Sequence, residues 1–246
     1  MTYIHDQLAA ELRVTKPIGP GKSAGAKRVQ EYLGVNGVRL VIDGDWGPAT
    51  SRGLQMAVPG ATTVDAAIME RLAFPILRAI EPGAPKATLG AMIAATAIQH
   101  LAAHPVEIGG QNAGPWVRMY MDGNEGPAWP WCMGFVTFVV RQAALAMAMK
   151  VPEHLERTYS CDVVGGRARK FGKLVLGPSP IVKPGDIFLV PAKGRANDWV
   201  HTGIIIEVNG QTFTTIEGNT NDEGSREGFE VCKRIRARAT VDVVKL

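Results

Sequence analysis

Cysteine is scarce in this chain of 246 residues: there are three, an odd number, without CxxC spacing and without a histidine cluster beside them. That argues against a zinc site and against a disulfide framework. No metal or other cofactor is expected. Long apolar runs are also missing. No stretch approaches the ~18 consecutive apolar residues of a spanning helix, so stable membrane insertion is not expected. Charge of one sign never accumulates: 27 basic and 23 acidic residues leave a net charge of +4. The densest basic stretch is Lys233, Arg234, Arg236 and Arg238. Its arginines alternate, as on one face of a strand. A solvated strand face is the simpler reading and a polyanion site the alternative. A dedicated nucleic-acid role is unsupported. The N-terminus carries Asp6 and Glu11 and no apolar core, so it does not read as a secretory leader. Synthesis in the cytoplasm without a signal peptide is the expectation, and any action outside would need release by another agent. There is no internal repeat and no low-complexity tract.

What is present is globular: 46% apolar residues against 20% charged. Ser23 is a candidate N-cap for a helix carrying Val29, Tyr32 and Leu33. The turn-rich run Asp43-Gly44-Asp45-Trp46-Gly47-Pro48-Ala49-Thr50 leads into a second helix, with Pro48 in its first turn. A third helix is expected over Thr63 to Ala79. Glu81-Pro82-Gly83-Ala84-Pro85-Lys86 reads as a linker. The expected division is therefore a helical domain over 1–80, a linker over 81–88 and a second domain over 89–246. In the second domain a helix over Leu89 to Ala103 precedes an irregular, aromatic-rich stretch from Pro115 to Pro130. A helix from about Pro130 to Lys150 is apolar nearly all round and should be the buried centre. Ser160 is a candidate cap for a helix ending near Phe171. Strands follow at Ile187–Val190, Val200–Val208, Thr212–Glu217 and Phe229–Ala239.

Chemistry concentrates on Cys132. A reactive cysteine needs its thiolate, which is favoured at a helix N-terminus and beside a histidine. Cys132 falls in the first turn of the central helix, whose N–H groups could also steady an oxyanion. His201 stands at the start of the strongly patterned strand Trp199-Val200-His201-Thr202-Gly203-Ile204-Ile205-Ile206, and Gly203 leaves space on the same face. Glu217 and Asn219 on the next strand are candidates to orient the ring. A two-residue hairpin loop at Asn209-Gly210 would turn both away from His201. A catalytic reading therefore requires an odd loop or a β-bulge. Cys161 also sits near a helix start, but its helix is not the hydrophobic centre. Cys232 lies within a strand and reads as packing. Trp116, Trp131 and Trp199, close to these groups in sequence, are candidate substrate contacts. Asp43, Asp45 and Trp46 are candidate ligand contacts in the first domain, where the same loop also reads as a capped turn. Asp122-Gly123-Asn124-Glu125-Gly126 lacks the alternating oxygen ligands of a calcium loop and reads as a turn.

Asn112-x-Gly114-Pro115-Trp116-Val117, Tyr120 and Trp131-Cys132-x-Gly134-Phe135-Val136 together resemble the nucleophile region of CHAP domains, the cysteine, histidine-dependent amidohydrolases/peptidases. Pro184-Gly185-Asp186-Ile187 resembles that family's strand entry. His201-Thr202-Gly203-Ile204 resembles its histidine strand, and Ile216-Glu217-Gly218-Asn219-Thr220 its third motif. The resemblance implies an α+β, papain-like catalytic domain, N-terminal helices plus an antiparallel sheet, over roughly 89–246. It implies Cys132 as nucleophile, His201 as base, and Glu217 and Asn219 at the orienting positions. Residues 23–80 are similar to the three-helix peptidoglycan-binding module, through Val29-Gln30-x-x-Leu33 and Asp43 to Thr50. That module's usual aromatic-glutamine pair and second Asp-Gly turn are absent after Leu54-Gln55.

The resemblances imply a hydrolase of bacterial peptidoglycan, either an N-acetylmuramoyl-L-alanine amidase or a stem-peptide endopeptidase, built like a phage endolysin and acting at the cell wall or periplasm after release. A holin or a secretion system is the delivery partner this implies. The alternatives are an injected antibacterial amidase toxin with the same chemistry, and a non-catalytic wall-binding or phage structural protein that keeps the fold.

Overall fold

A computed structural model describes residues 8–178, 181–221 and 228–246. Asp6 therefore lies outside the described residues. In chain order the elements are β1 (Gly21–Lys22), α1 (Ala24–Val35), β2 (Asp45–Trp46), α2 (Pro48–Ala57), α3 (Ala66–Leu72), α4 (Phe74–Ile80), α5 (Leu89–Ala102) and α6 (Pro115–Tyr120). There follow α7 (Cys132–Ala146), α8 (Cys161–Lys170), β3 (Leu174–Val175), β4 (Ile187–Pro191), β5 (Trp199–Asn209), β6 (Thr212–Thr220), β7 (Glu230–Ala237) and β8 (Asp242–Val244). The class is α+β.

The chain divides into two compact units, and the division is not the linear one expected. Residues 1–80 and 105–128 form the first; residues 81–104 and 129–246 form the second. The return of 105–128 corrects the expected second domain over 89–246. Burial of Trp116, Val117, Met119 and Tyr120 holds that segment there, together with an ion network. Arg118, in α6, donates to Glu31 at 2.7 Å, to Glu125 at 2.8 Å and to Glu11, all within the first unit. A largely buried guanidinium needs several acceptors, because desolvation without partners is costly. The stretch expected to be irregular is thus partly helical.

In the first unit Ser23 caps α1, its hydroxyl accepting from the Ala26 N–H at 2.9 Å, and Pro48 opens α2. Val29, Leu33, Leu54, Met69 and Ile76 are fully buried and make the core. The single helix expected over Thr63–Ala79 is two. α3 starts on Asp65, whose carboxylate accepts from Ile68 N–H, and stops at Ala73. Pro75 has no N–H to continue the ladder onto Arg71 and its ring crowds that turn.

The second unit is an antiparallel six-stranded sheet, order β3-β8-β4-β5-β6-β7, with helices packed on it. α7 is buried along most of its length, Phe135, Val136, Val139 and Val140 among its core residues. α5 packs on α7 and reaches β5. β3 and β8, of two and three residues, were not anticipated: strands so short carry no readable alternation. Gly218 sets the helix-to-sheet distance. A Cβ there would meet Trp131 and Phe135 at 2.8 Å, so only glycine lets the start of α7 lie directly on the β6 backbone.

Candidate active site

Cys132 is the first residue of α7. No side chain caps that helix: Trp131 occupies the N-cap without a capping hydrogen bond. The orphan N–H groups of the first turn are left for an anion.

His201 and Glu217 meet through a change of strand register. At the hairpin Asn209 pairs with Thr212. Continued unbroken, that register would put Glu217 opposite Ile204, on the face away from the histidine. Between Ile205 and Glu207 the register shifts, and beyond the bulge Ile205 pairs with Thr215 and Ile204 with Ile216. One inserted residue reverses the facing of everything beyond it. Glu217 thereby comes onto the face of His201. Gly203 completes the arrangement. A Cβ on it would come within 2.7 Å of the Glu217 side chain, so the space it leaves is the path by which the carboxylate reaches the ring.

His201 Nε2 lies 2.7 Å from Glu217 Oε2, both residues buried. Glu217 accepts further hydrogen bonds from Thr215 Oγ1 at 2.6 Å, from Arg236 Nε at 2.8 Å and from Arg236 Nη2. Burial favours a protonated carboxyl, but the bonds from Arg236 and His201 outweigh it and hold Glu217 at about 2. A fixed carboxylate on Nε2 leaves Nδ1 for the thiol. Nδ1 is buried and, among the described residues, has no hydrogen-bond partner. Cys132 is still its electrostatic partner, because each group shifts the ionisation of the other. Such contacts commonly straighten and tighten only around a substrate. Burial opposes a charged imidazole, yet the hydrogen bonds and negative charge of Cys132 and Glu217 raise His201 to about 9. The Cys132 thiol is lowered well below its ordinary value. Its largest cause is a hydrogen bond with Cys161; burial opposes, and His201 and the Met133 N–H add to the lowering. Both shifts favour a thiolate beside an imidazolium, the reactive form of a cysteine.

The structure thus brings Cys132, His201 and Glu217 into one buried group. Asn219 joins the same strand end with a left-handed φ of 55°, and its Oδ1 has no hydrogen-bond partner among the described residues. Glu217, not Asn219, makes the contact with the ring.

The aromatic candidates do not fare as the sequence suggests. Trp131 is fully buried beneath Gly218. Trp199 packs against Gly165 and gives its indole N–H to Asp242 at 2.8 Å. Trp116 is buried in the first unit, stacked on Tyr120. An indole sealed in a core presents no face to substrate, so these three are framework. In the first unit Trp46 is buried too, its N–H donating to Ser51 Oγ at 2.9 Å. Asp43 accepts from Gln30 and from the Asp45 N–H at 2.8 Å each, which lowers its pKa and makes the loop a capped turn. Asp43 and Asp45 remain exposed. Glu125, from the segment weighed as a calcium loop, is engaged by Arg118 and the Gly114 N–H.

Two members of the site were missed from sequence. Arg236 was read as part of a solvated strand face. Its register with Phe213 puts it on the Glu217 face, a placement that follows from pairing across β6 and β7 and not from local pattern. Cys161, near a second helix start, is coupled electrostatically to Cys132.

A family model described as CHAP domain matches residues 121–219. The match takes in Cys132, His201, Glu217 and Asn219, and leaves Arg236 outside. It indicates a peptidoglycan amidase- or endopeptidase-type hydrolase. No curated protein and no solved structure matches the chain.

Proposed function

We propose that this protein hydrolyses an amide bond of bacterial peptidoglycan by cysteine nucleophilic catalysis, in the manner of an endolysin. The observation that carries the reading is the ordered series Arg236, Glu217, His201, Cys132. A saturated carboxylate fixes one ring nitrogen and the other is left for a sulfur at an uncapped helix start. The Cys132 thiolate attacks the scissile carbonyl carbon. The carbon–sulfur bond forms as the carbonyl π electrons move to oxygen. First-turn N–H groups of α7 steady that oxyanion. Imidazolium His201 then gives its proton to the departing amine as the carbon–nitrogen bond breaks. Water attacks the resulting thioester, with neutral His201 taking its proton, and the carboxylic acid leaves with the thiolate restored. Glu217 stays ionised and holds the ring in orientation throughout.

The test is mass spectrometry of purified sacculi after incubation with the full chain and with Cys132→Ala. New free amines on L-Ala identify an amidase; new termini within the stem or cross-link identify an endopeptidase. Intact sacculi with active-site cysteine still alkylatable would overturn the substrate assignment.

A further inference from the structure

We infer that Trp129 and Tyr159 form a platform on which a sugar ring of the glycan strand lies while its stem peptide enters the active site. This rests on peptidoglycan being the substrate, as proposed above. The chain has five tryptophans. Trp46, Trp116, Trp131 and Trp199 are sealed, none more than 6% exposed. Trp129 is half-buried, the one indole with a substantial share in solvent. The described tyrosines divide in the same way: Tyr32 and Tyr120 are buried, Tyr159 is half-buried. The two exceptions meet. Their ring centroids are 5.9 Å apart at an interplanar angle of 84°, edge to face.

Both rings are held at the start of α7, the helix that begins with Cys132. Trp129 precedes Cys132 by three residues, so their Cα atoms lie within about 11 Å of each other. Pro130, next in the chain, disfavours helical backbone at Trp129 and keeps the indole outside α7. Tyr159 comes from the segment before α8. The Arg157 guanidinium lies 5.2 Å from its ring centre. Arg157 Nη1 donates to the Gly134 carbonyl at 2.7 Å and to Thr137 Oγ1 at 2.8 Å, both on α7. The Thr158 carbonyl lies 3.0 Å from Thr137 Oγ1. One helix start thus carries the nucleophile and fixes both rings. Aromatic area fixed in advance loses little conformational entropy when a ligand covers it. Indole and phenol pair an apolar body with a polar edge, which suits a ligand with an apolar face and a polar rim. A pyranose ring has that form, with C–H bonds on its faces and hydroxyl and N-acetyl groups around it. The stem peptide, built of alanines, a glutamate and a diamino acid, offers no flat apolar face. The glycan is therefore the occupant.

The experiment uses the full chain carrying Cys132→Ala, which binds without cutting, and follows iodide quenching of tryptophan fluorescence. Iodide reaches an indole in solvent and not the four sealed ones, so quenching reads Trp129. The peptide-free disaccharide of N-acetylglucosamine and N-acetylmuramic acid should reduce the quenching severalfold at saturation. Free stem tetrapeptide should leave it unchanged. Protection by the tetrapeptide, or none by the disaccharide, would overturn the inference. With Cys132 intact, Trp129→Ala and Tyr159→Ala should each raise the apparent KM on sacculi roughly tenfold with kcat nearly kept, the usual loss for an aromatic anchor. Trp129→Phe keeps a flat ring and should recover most of it. A KM unmoved in the folded alanine variants, or a loss confined to kcat, would make the pair framework. The quenching arm keeps both rings native and decides the matter if those variants do not fold. A native chain inert on sacculi would sink the proposed function and this inference with it. A native chain that cuts sacculi while only the tetrapeptide protects Trp129 would sink the inference alone.

Discussion

Each unit pairs a half-buried arginine with carboxylate, three in the first and one in the second, and the two assemblies end differently. In the first, Arg118 gathers Glu11, Glu31 and Glu125, and the charges close on one another. What is left over is the buried Tyr32 hydroxyl, whose phenol burial and Glu11 hold protonated. In the second, Arg236 pairs with Glu217, but Glu217 passes the interaction to His201 and the ring stands open toward a thiolate. A charge network that closes on itself fixes where a segment packs. One that ends on an open ring nitrogen beside a thiol biases the ionisation of both groups. Burial and pairing alone would rank the two alike.

The sharpest break of this comparison is Cys132→Ala. Hydrolysis of sacculi should fall by several orders of magnitude, since the attacking sulfur is gone, while the thermal midpoint falls only by the share of the lost Cys132–His201 interaction. A thermal loss comparable to the catalytic one would make Cys132 structural. Glu217→Gln should lower kcat/KM by roughly a hundredfold, because the ring loses its charged anchor while the dyad survives. It should also pull the alkaline midpoint of activity down. An unmoved midpoint would reduce Glu217 to a packing residue.

Arg118→Met should act on the other side of the comparison. Removing the cation leaves three carboxylates facing one another in a largely buried site, costing about 3–5 kcal/mol of stability. Urea unfolding measures this. The pH profile of the surviving activity should not move; a displaced profile would join the first network to the chemistry.

In the wild type the sign of the pH dependence follows from the shifts. His201 is raised to about 9 and Cys132 lowered, so the ion pair persists between the two. kcat/KM should be flat through neutrality and fall as pH rises through about 9, where the imidazolium is lost. The same raised value stabilises the fold fully below the ordinary histidine range, an effect lost as pH rises through 9. A neutral-pH maximum falling off already at 7 would contradict the pair. The smallest effect should be Asp43→Ala with Asp45→Ala in the full chain. If these exposed carboxylates touch the wall, pelleting with sacculi should weaken a few-fold. Unchanged pelleting would leave the loop a capped turn only. Deleting residues 1–86 is a poorer test, because 105–128 would lose the body it packs with.

The sequence by itself determined the local features. Ser23, Asp65 and Ser160 mark helix starts because a hydroxyl or carboxylate there satisfies N–H groups next to it in the chain. The apolar run of α7 declares its burial, and the alternation of β5 its strand, because both periods are written within ten residues. Cys132 and His201 were legible for the same reason: a helix start and a strand entrance are local positions. Tertiary structure decided the rest. The three tryptophans near the site look like contacts in sequence and are sealed in cores, since exposure depends on what the chain brings over them. Arg236 reached Glu217 by pairing two strands. The facing of Glu217 was settled by one bulged residue at Ile206. A strand's side chains alternate with period two, so a single inserted residue chooses which face meets the histidine, and that choice is made between strands, where no local pattern records it.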